Sequence, residues 1–181
     1  MTANSEKYRT ALAGLDAIVG SYPADKWSAT SPCDGWTAAH VVGHLLGGMS
    51  MVSGAAVEGD ELSRAGDDPA ASYAAGRDAA LAKLTDENLS QTVNGPMGPM
   101  PLDQMVGMFL TNDILIHTWD LAHTAGMPVT LDADLVEGAY NALVPIDAMV
   151  RMPGVFGAKV EPPADADMQT KLMCFVGRNA G

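Results

Sequence analysis

The sequence predicts an all-α fold: a bundle of four long helices with a long crossover connection and a short C-terminal helix. Three observations carry that prediction. Apolar residues recur at helical spacing in the long segments, as with Val41, Val42, Leu45, Leu46 and Met49. Helix-start and helix-stop residues punctuate the chain between those segments. One long connection separates the second long helix from the fourth, which suits a bundle with a crossover.

The first helix is expected from Ser5 to Val19, with Leu12, Leu15 and Ile18 giving the apolar spacing, and Gly20 to Pro23 ending it. After the loop TSPCDGW, Thr37 is an N-cap for a second helix reaching Val57. Asp68 followed by Pro69 opens a third helix to Leu84. The stretch LSQTVNGPMGPMPL is too rich in Gly and Pro for a helix and reads as an extended loop, with a short hairpin around Asn94-Gly95. A fourth helix runs from Leu102 to Ala125, where Gly126 and Pro128 stop it. A fifth spans Asp132 to Val150, bent by Pro145. The last begins at Asp167 and carries Leu172, Met173 and Phe175 toward the core. Little strand content is expected.

A chain of 181 residues with 48% hydrophobic types can bury a substantial core and suits a single domain, residues 1–181. Ten basic against 22 acidic residues give a net charge of -12, which repels nucleic acid and anionic membranes, so neither is expected as a partner. Cys33 and Cys174 stand at opposite ends without CxxC spacing, so a disulfide framework and a cysteine zinc site are not expected. A reducing cytoplasm fits, and MTANSEKYRT lacks the apolar centre of a signal peptide. From Thr37 to Val57 there is no Asp, Glu, Lys or Arg, about the length of a membrane span. His40, His44 and glycines 43, 47, 48 and 54 interrupt the run, however, and its strongest apolar residues share one face. It reads as a buried bundle helix.

The stretch DILIHTWDLAHTAG, residues 113–126, carries the chemistry. At ~100° per residue, Asp113, His117, Asp120 and Thr124 form one stripe of the helix. Phe109, Leu110, Ile116 and Leu121 border that stripe, and Leu115, Trp119 and Ala122 make the opposite side apolar too, so the stripe points into protein. A buried carboxylate is costly unless paired or bound to metal. Asp113 and His117, four residues apart, can hold one ion together. A third ligand must come from another helix, and His40 and His44 both qualify. Two histidines and a carboxylate suit zinc, iron or nickel. Asp120 is either an acceptor behind His117 or the partner of a buried arginine, for which Arg178 in CFVGRN is the choice. His123 falls off the stripe and reads as a surface or interface imidazole. Cys33 in PCDGW reads as part of a turn that lets Trp36 cover the helix end. The twelve methionines read as core and cavity lining.

TSPCDGWTAAHVVGHLLGG resembles the loop and second-helix signature of the DinB-like superfamily, in its actinobacterial branch related to the N-terminal domain of mycothiol-dependent maleylpyruvate isomerase. DILIHTWDLAHTAG is similar to the metal-helix signature of that branch, and LMCFVGRN resembles its C-terminal Gly-Arg element. The resemblance implies a four-helix bundle with a divalent metal between helices. It places the ligands on His44, Asp113 and His117, with Asp113 standing where the isomerases have a glutamate. It further implies a low-molecular-weight thiol, mycothiol in actinobacteria, as cofactor.

The resulting expectation is a metal-dependent thiol S-transferase or isomerase acting on a small electrophilic metabolite, with Asp120 or Arg178 as the nearby catalytic group and zinc, nickel or iron as the ion. Two alternatives stay open: a thiol-independent cyclase or hydrolase of small-molecule metabolism, and a non-catalytic metal- or small-molecule-binding protein. Monomer and homodimer both fit.

Overall fold

A computed structural model describes residues 1–152 and 154–180. The chain divides into two compact units, Met1–Val129 and Thr130–Gly181. The described residues are mostly helical, with one two-stranded sheet as the strand content.

The first unit is a four-helix bundle of α1 (Ala3–Val19), α2 (Ala38–Ser53), α4 (Pro69–Ala82) and α7 (Thr111–Ala125), with shorter elements between them. α7 packs on both α1 and α2, and α4 likewise touches both. The connections α1–α2 and α4–α7 therefore each cross the bundle. Thr2 caps α1 by accepting from Ser5 N–H at 3.1 Å, and Asp68 caps α4 by accepting from Ala71 N–H at 3.0 Å, satisfying donors that a helix start leaves unpaired. α2 ends at Gly54, which adopts φ 71° in the left-handed region. That stop falls short of the expected Val57 because a left-handed residue ends the ladder.

Residues 54–68 contain a short helix that sequence periodicity did not reveal, α3 (Glu61–Ala65). It lies against α2 at Gly43, where a Cβ would stand 1.6 Å from the Glu61 carbonyl oxygen. Only glycine lets the backbones approach so closely. After α5 (Asp86–Leu89), the expected hairpin is present as β1 (Thr92–Gly95) paired antiparallel with β2 (Gly98–Pro101). Its turn is at Pro96-Met97, so Asn94-Gly95 ends a strand rather than forming the turn.

The continuous helix expected from Leu102 to Ala125 is interrupted. α6 (Leu102–Met105) passes into a π-helical turn, Val106–Leu110, before α7 begins. The Val106 carbonyl accepts both the Thr111 N–H and, at 2.8 Å, the Thr111 hydroxyl. Upstream of that turn, the Asp103 carboxylate accepts from Thr2 Oγ1 and from Asn4 Nδ2, the latter at 2.8 Å. Every residue of α7 from Ile114 to Ala122 is buried, as the two-sided apolar pattern required.

The second unit contains α8 (Ala133–Leu143), a 3-10 turn at Val144–Ile146, α9 (Asp147–Val150) and α10 (Met168–Phe175). The break at Pro145 is the expected bend. Asp132 and Asp167 cap α8 and α10, and α8 packs on α10. Arg151 lies over the Phe175 ring at 4.7 Å while its Nε donates to Asp147 at 3.0 Å. Met49, Met100, Met105 and Met173 are core residues, whereas Met1, Met97, Met108, Met149, Met152 and Met168 are exposed. The methionines therefore do not act as a common lining. No helix among the described residues is long and apolar enough to cross a membrane.

Candidate metal centre

Three of the residues singled out in the sequence converge within the first unit. α7 presents Asp113 and His117 one turn apart, and α2 presents His44 from across the helix interface. His44 Nε2 stands 3.2 Å from the Asp113 carboxylate, and His117 Nε2 stands 3.4 Å from Asp113 Oδ1. Ligand atoms on a tetrahedral ion with bonds of ~2.0 Å lie ~3.3 Å apart. One donor atom from each of the three residues falls within 4.8 Å of the others. The donor set thus fits a divalent ion, and the short arm of Asp113 reaches both rings. The His44 side chain is 38% exposed and that of Asp113 32%, against 9% for His117. The cluster is open on the His44 side and closed behind His117.

Behind His117 lies Asp120, whose Oδ2 accepts from Nδ1 at 2.9 Å and which has no exposed surface. An acceptor behind His117 is one of the two roles expected of it. A ring whose Nδ1 donates to a carboxylate keeps Nε2 for the opposite side, where Asp113 and His44 are. Burial pushes the His117 imidazole pKa down, but the Asp113 charge and hydrogen bonds to Asp113, Asp120 and Cys33 raise it well above the ordinary value. Burial likewise opposes ionisation of Asp113, yet the charge and hydrogen bonds of His117 and then His44 hold its carboxyl well below the usual range.

His40 is not part of the cluster. Its Nδ1 accepts from Thr37 N–H at 3.2 Å and lies 2.7 Å from Thr37 Oγ1, so the ring closes the N-terminal turn of α2. His123 is exposed and stacks on Trp119 at 4.6 Å, consistent with its place off the stripe. Arg178 stands in the second unit beyond α10. The Gly177 and Arg178 N–H groups return to Cys174 and Met173 carbonyls, Gly177 taking φ 88°. Arg178 is buried, and its Nη1 donates to the Val176 carbonyl at 3.1 Å.

The loop TSPCDGW contributes more than sequence reading foresaw. Trp36 N–H donates to the Cys33 carbonyl at 3.0 Å and Cys33 N–H to Ser31 Oγ at 3.0 Å, with Gly35 at φ 75° allowing the turn. That turn sets the Trp36 ring 5.0 Å from His44 and 6.1 Å from His117, over the cluster. It also sets Cys33 Sγ 3.3 Å from Asp120 Oδ2 and 3.9 Å from His117 Nδ1. Cys33, His117 and Asp120 form a second group with metal-ligand spacing. The group of His44, Asp113 and His117 is the more accessible of the two and so the better cation site. Tyr8 on α1 is also buried, and its hydroxyl has no hydrogen-bond partner among the described residues. Burial and the Asp113 charge raise its pKa.

Comparisons with known proteins bear on the family and the fold. The chain is 30% identical over 167 residues to the uncharacterised protein Rv0738 of Mycobacterium tuberculosis, covering 90% of each. A 32-residue stretch, 18% of this chain and 12% of the relative, is 56% identical to the uncharacterised Rv0036c of the same organism. Among solved structures, a mutant of the mycothiol-dependent maleylpyruvate isomerase matches with a TM-score of 0.53 and 14% identity, over 75% of this chain and 67% of that one, which supports the fold. Residues 8–122 match the family model described as the mycothiol maleylpyruvate isomerase N-terminal domain, and they include α2, most of α7 and every residue of the cluster. The chain belongs to the mycothiol maleylpyruvate isomerase N-terminal domain family.

Proposed function

We propose that His44, Asp113 and His117 hold one divalent metal ion, zinc in the first instance, and that the protein is a thiol-dependent S-transferase or isomerase acting on a small electrophilic metabolite. Mycothiol or another low-molecular-weight thiol is the cofactor in this reading. The observation that carries it is the convergence of two imidazole Nε2 atoms on one carboxylate, at 3.2 and 3.4 Å. Three protein ligands leave room on a tetrahedral ion for an exogenous group. A divalent ion bound there would supply Lewis acidity, which lowers a thiol's pKa and favours the nucleophilic thiolate.

The chain's own residues have separate tasks. Asp120 holds the His117 ring with Nε2 toward the cluster. Asp113 supplies the one carboxylate, so a doubly charged cation with these ligands keeps a net positive charge and attracts an anionic thiol. Trp36 covers the imidazoles and limits water on that side. Cys174 is buried in the second unit and the Cys33 thiol donates to Asp120, so neither is placed as the nucleophile and the sulfur comes from outside. The mycothiol in the family's name supports the same assignment.

The test is elemental analysis of protein purified without a polyhistidine tag, followed by turnover assays with and without mycothiol, before and after chelation. One metal per chain and a thiol-dependent activity that chelation removes are expected. Activity that persists without thiol would favour a cyclase or hydrolase. Metal-free protein that binds small molecules without turning them over would favour a non-catalytic binder.

A further inference from the structure

We infer that Cys33 is a positioning residue of this centre: its thiol holds the Asp120 carboxylate against His117 and so fixes the ring that faces Asp113. The inference deepens the metal-site reading and rests on it. One oxygen, Asp120 Oδ2, receives both contacts, from Cys33 Sγ at 3.3 Å and from His117 Nδ1 at 2.9 Å. A carboxylate rotates easily about its last bond, and a second donor on the same oxygen fixes that rotation. The thiol is itself held, because Cys33 N–H donates to Ser31 Oγ and the Cys33 carbonyl accepts from Trp36 N–H. The chain of contacts runs from a braced turn, through a thiol and a buried carboxylate, to the ring whose Nε2 points at the cluster.

Cys33 Sγ lies 3.9 Å from His117 Nδ1, on the side of the ring away from Asp113. The sulfur therefore acts on the ring through Asp120 rather than joining the ligand set. Outer partners of metal-bound histidines set ligand orientation, and their loss weakens metal binding by about 10- to 100-fold. Cys33 stands one contact further out than Asp120, and its loss belongs at the lower end of that range.

The experiment compares wild type, Cys33→Ala and Cys33→Ser in two readouts. In the first, zinc affinity is measured by chelator competition and the cobalt-substituted proteins are compared by absorption. Cys33→Ala is expected to bind about tenfold more weakly with shifted cobalt bands, and Cys33→Ser, which keeps a donor, to restore both. In the second, the metal-free proteins are compared by the downfield proton resonance of the His117 Nδ1–H, which broadens or disappears in Cys33→Ala and persists in Cys33→Ser. Equal affinity and an unchanged resonance in all three proteins would overturn the inference. A thiolate-to-cobalt charge-transfer band that Cys33→Ala removes would overturn it in another way, by making the sulfur a ligand. If wild type binds no metal, the first readout rejects the metal-site reading, and the resonance still decides whether Cys33 orients His117.

Discussion

Asp120 and His117 meet at 2.9 Å, carboxylate to Nδ1, on the side of the ring away from Asp113. One helix thus supplies a proposed ligand and, three residues later, the carboxylate that contacts its ring. Replacing Asp120 with Asn keeps the size and removes the charge. The expected result is a loss of zinc affinity of about 10- to 100-fold, measured by chelator competition, with the helical content unchanged. Unaltered affinity would show that the pair does not govern the metal.

His117→Ala is expected to abolish stoichiometric metal, whereas His123→Ala leaves it intact, because the His123 ring stacks on Trp119 at the surface. His40→Ala also leaves metal bound and instead lowers the unfolding free energy by about 0.5–2 kcal/mol, through loss of the capping-box contact with Thr37. Metal content by elemental analysis and denaturant midpoints check the three together. Equal metal in wild type and His117→Ala would contradict the ligand assignment.

Metal binding should strengthen with pH. The folded protein raises the His117 pKa above its unfolded value of ~6.5, so a proton must leave when a cation binds. Affinity is expected to rise by up to about tenfold per unit through neutral pH. In the metal-free protein the signs run the other way. The raised His117 pKa stabilises the fold fully below ~6.5 and loses its contribution as pH rises through the folded value. The lowered Asp113 pKa stabilises above ~3.9 and loses its contribution as pH falls. The contribution of this pair to apo stability is therefore largest between about pH 4 and 6.5. Calorimetry across pH, with and without zinc, reads both trends, and a flat affinity profile would count against a displaced proton.

Gly43→Ala is expected to destabilise the bundle by about 1–3 kcal/mol, through overpacking. The added methyl would meet backbone atoms of Glu61 rather than a movable side-chain end. Chemical denaturation measures the loss, and increased proteolysis around residues 58–66 would report release of α3. A midpoint equal to that of wild type would mean that α3 shifts away at no cost.

Much of the fold was legible because local signals agreed. Pro69 after Asp68, Gly126 after α7 and Pro145 within the fifth segment all mark real boundaries or bends. Asp113 and His117 were legible for the same reason, since a four-residue interval on a doubly buried helix is a local pattern. The choice between His40 and His44 was not available from their spacing. It turns on the contact of His40 with Thr37, although a residue three places after a threonine N-cap was a usable hint. Cys33 and Trp36 were read as a turn, which they form. Their placement over His117 depends on how the loop lies across α7, and no local pattern encodes that. The π turn was hidden too, because 102–125 carries an uninterrupted apolar pattern.

The π turn at Val106–Leu110 acts as a phase adjuster. Upstream of it, Asp103 is tied to Thr2 and Asn4, and a Cβ on Gly107 would stand 2.4 Å from the Asn4 side chain, so that end cannot rotate freely. Downstream, α7 must aim Asp113 and His117 at His44. A single α-helix could not meet both demands with this number of residues, and one residue of slack in the winding reconciles them. Deleting one residue from 106–110 would take up the slack and keep the phase, whereas winding the same residues as regular α-helix would turn everything after them by ~100° about the axis. So wound, the protein would still read as helical by circular dichroism, but α7 would be out of phase, with Asp113 and His117 facing the wrong neighbour. Winding number, as much as residue identity, specifies the centre.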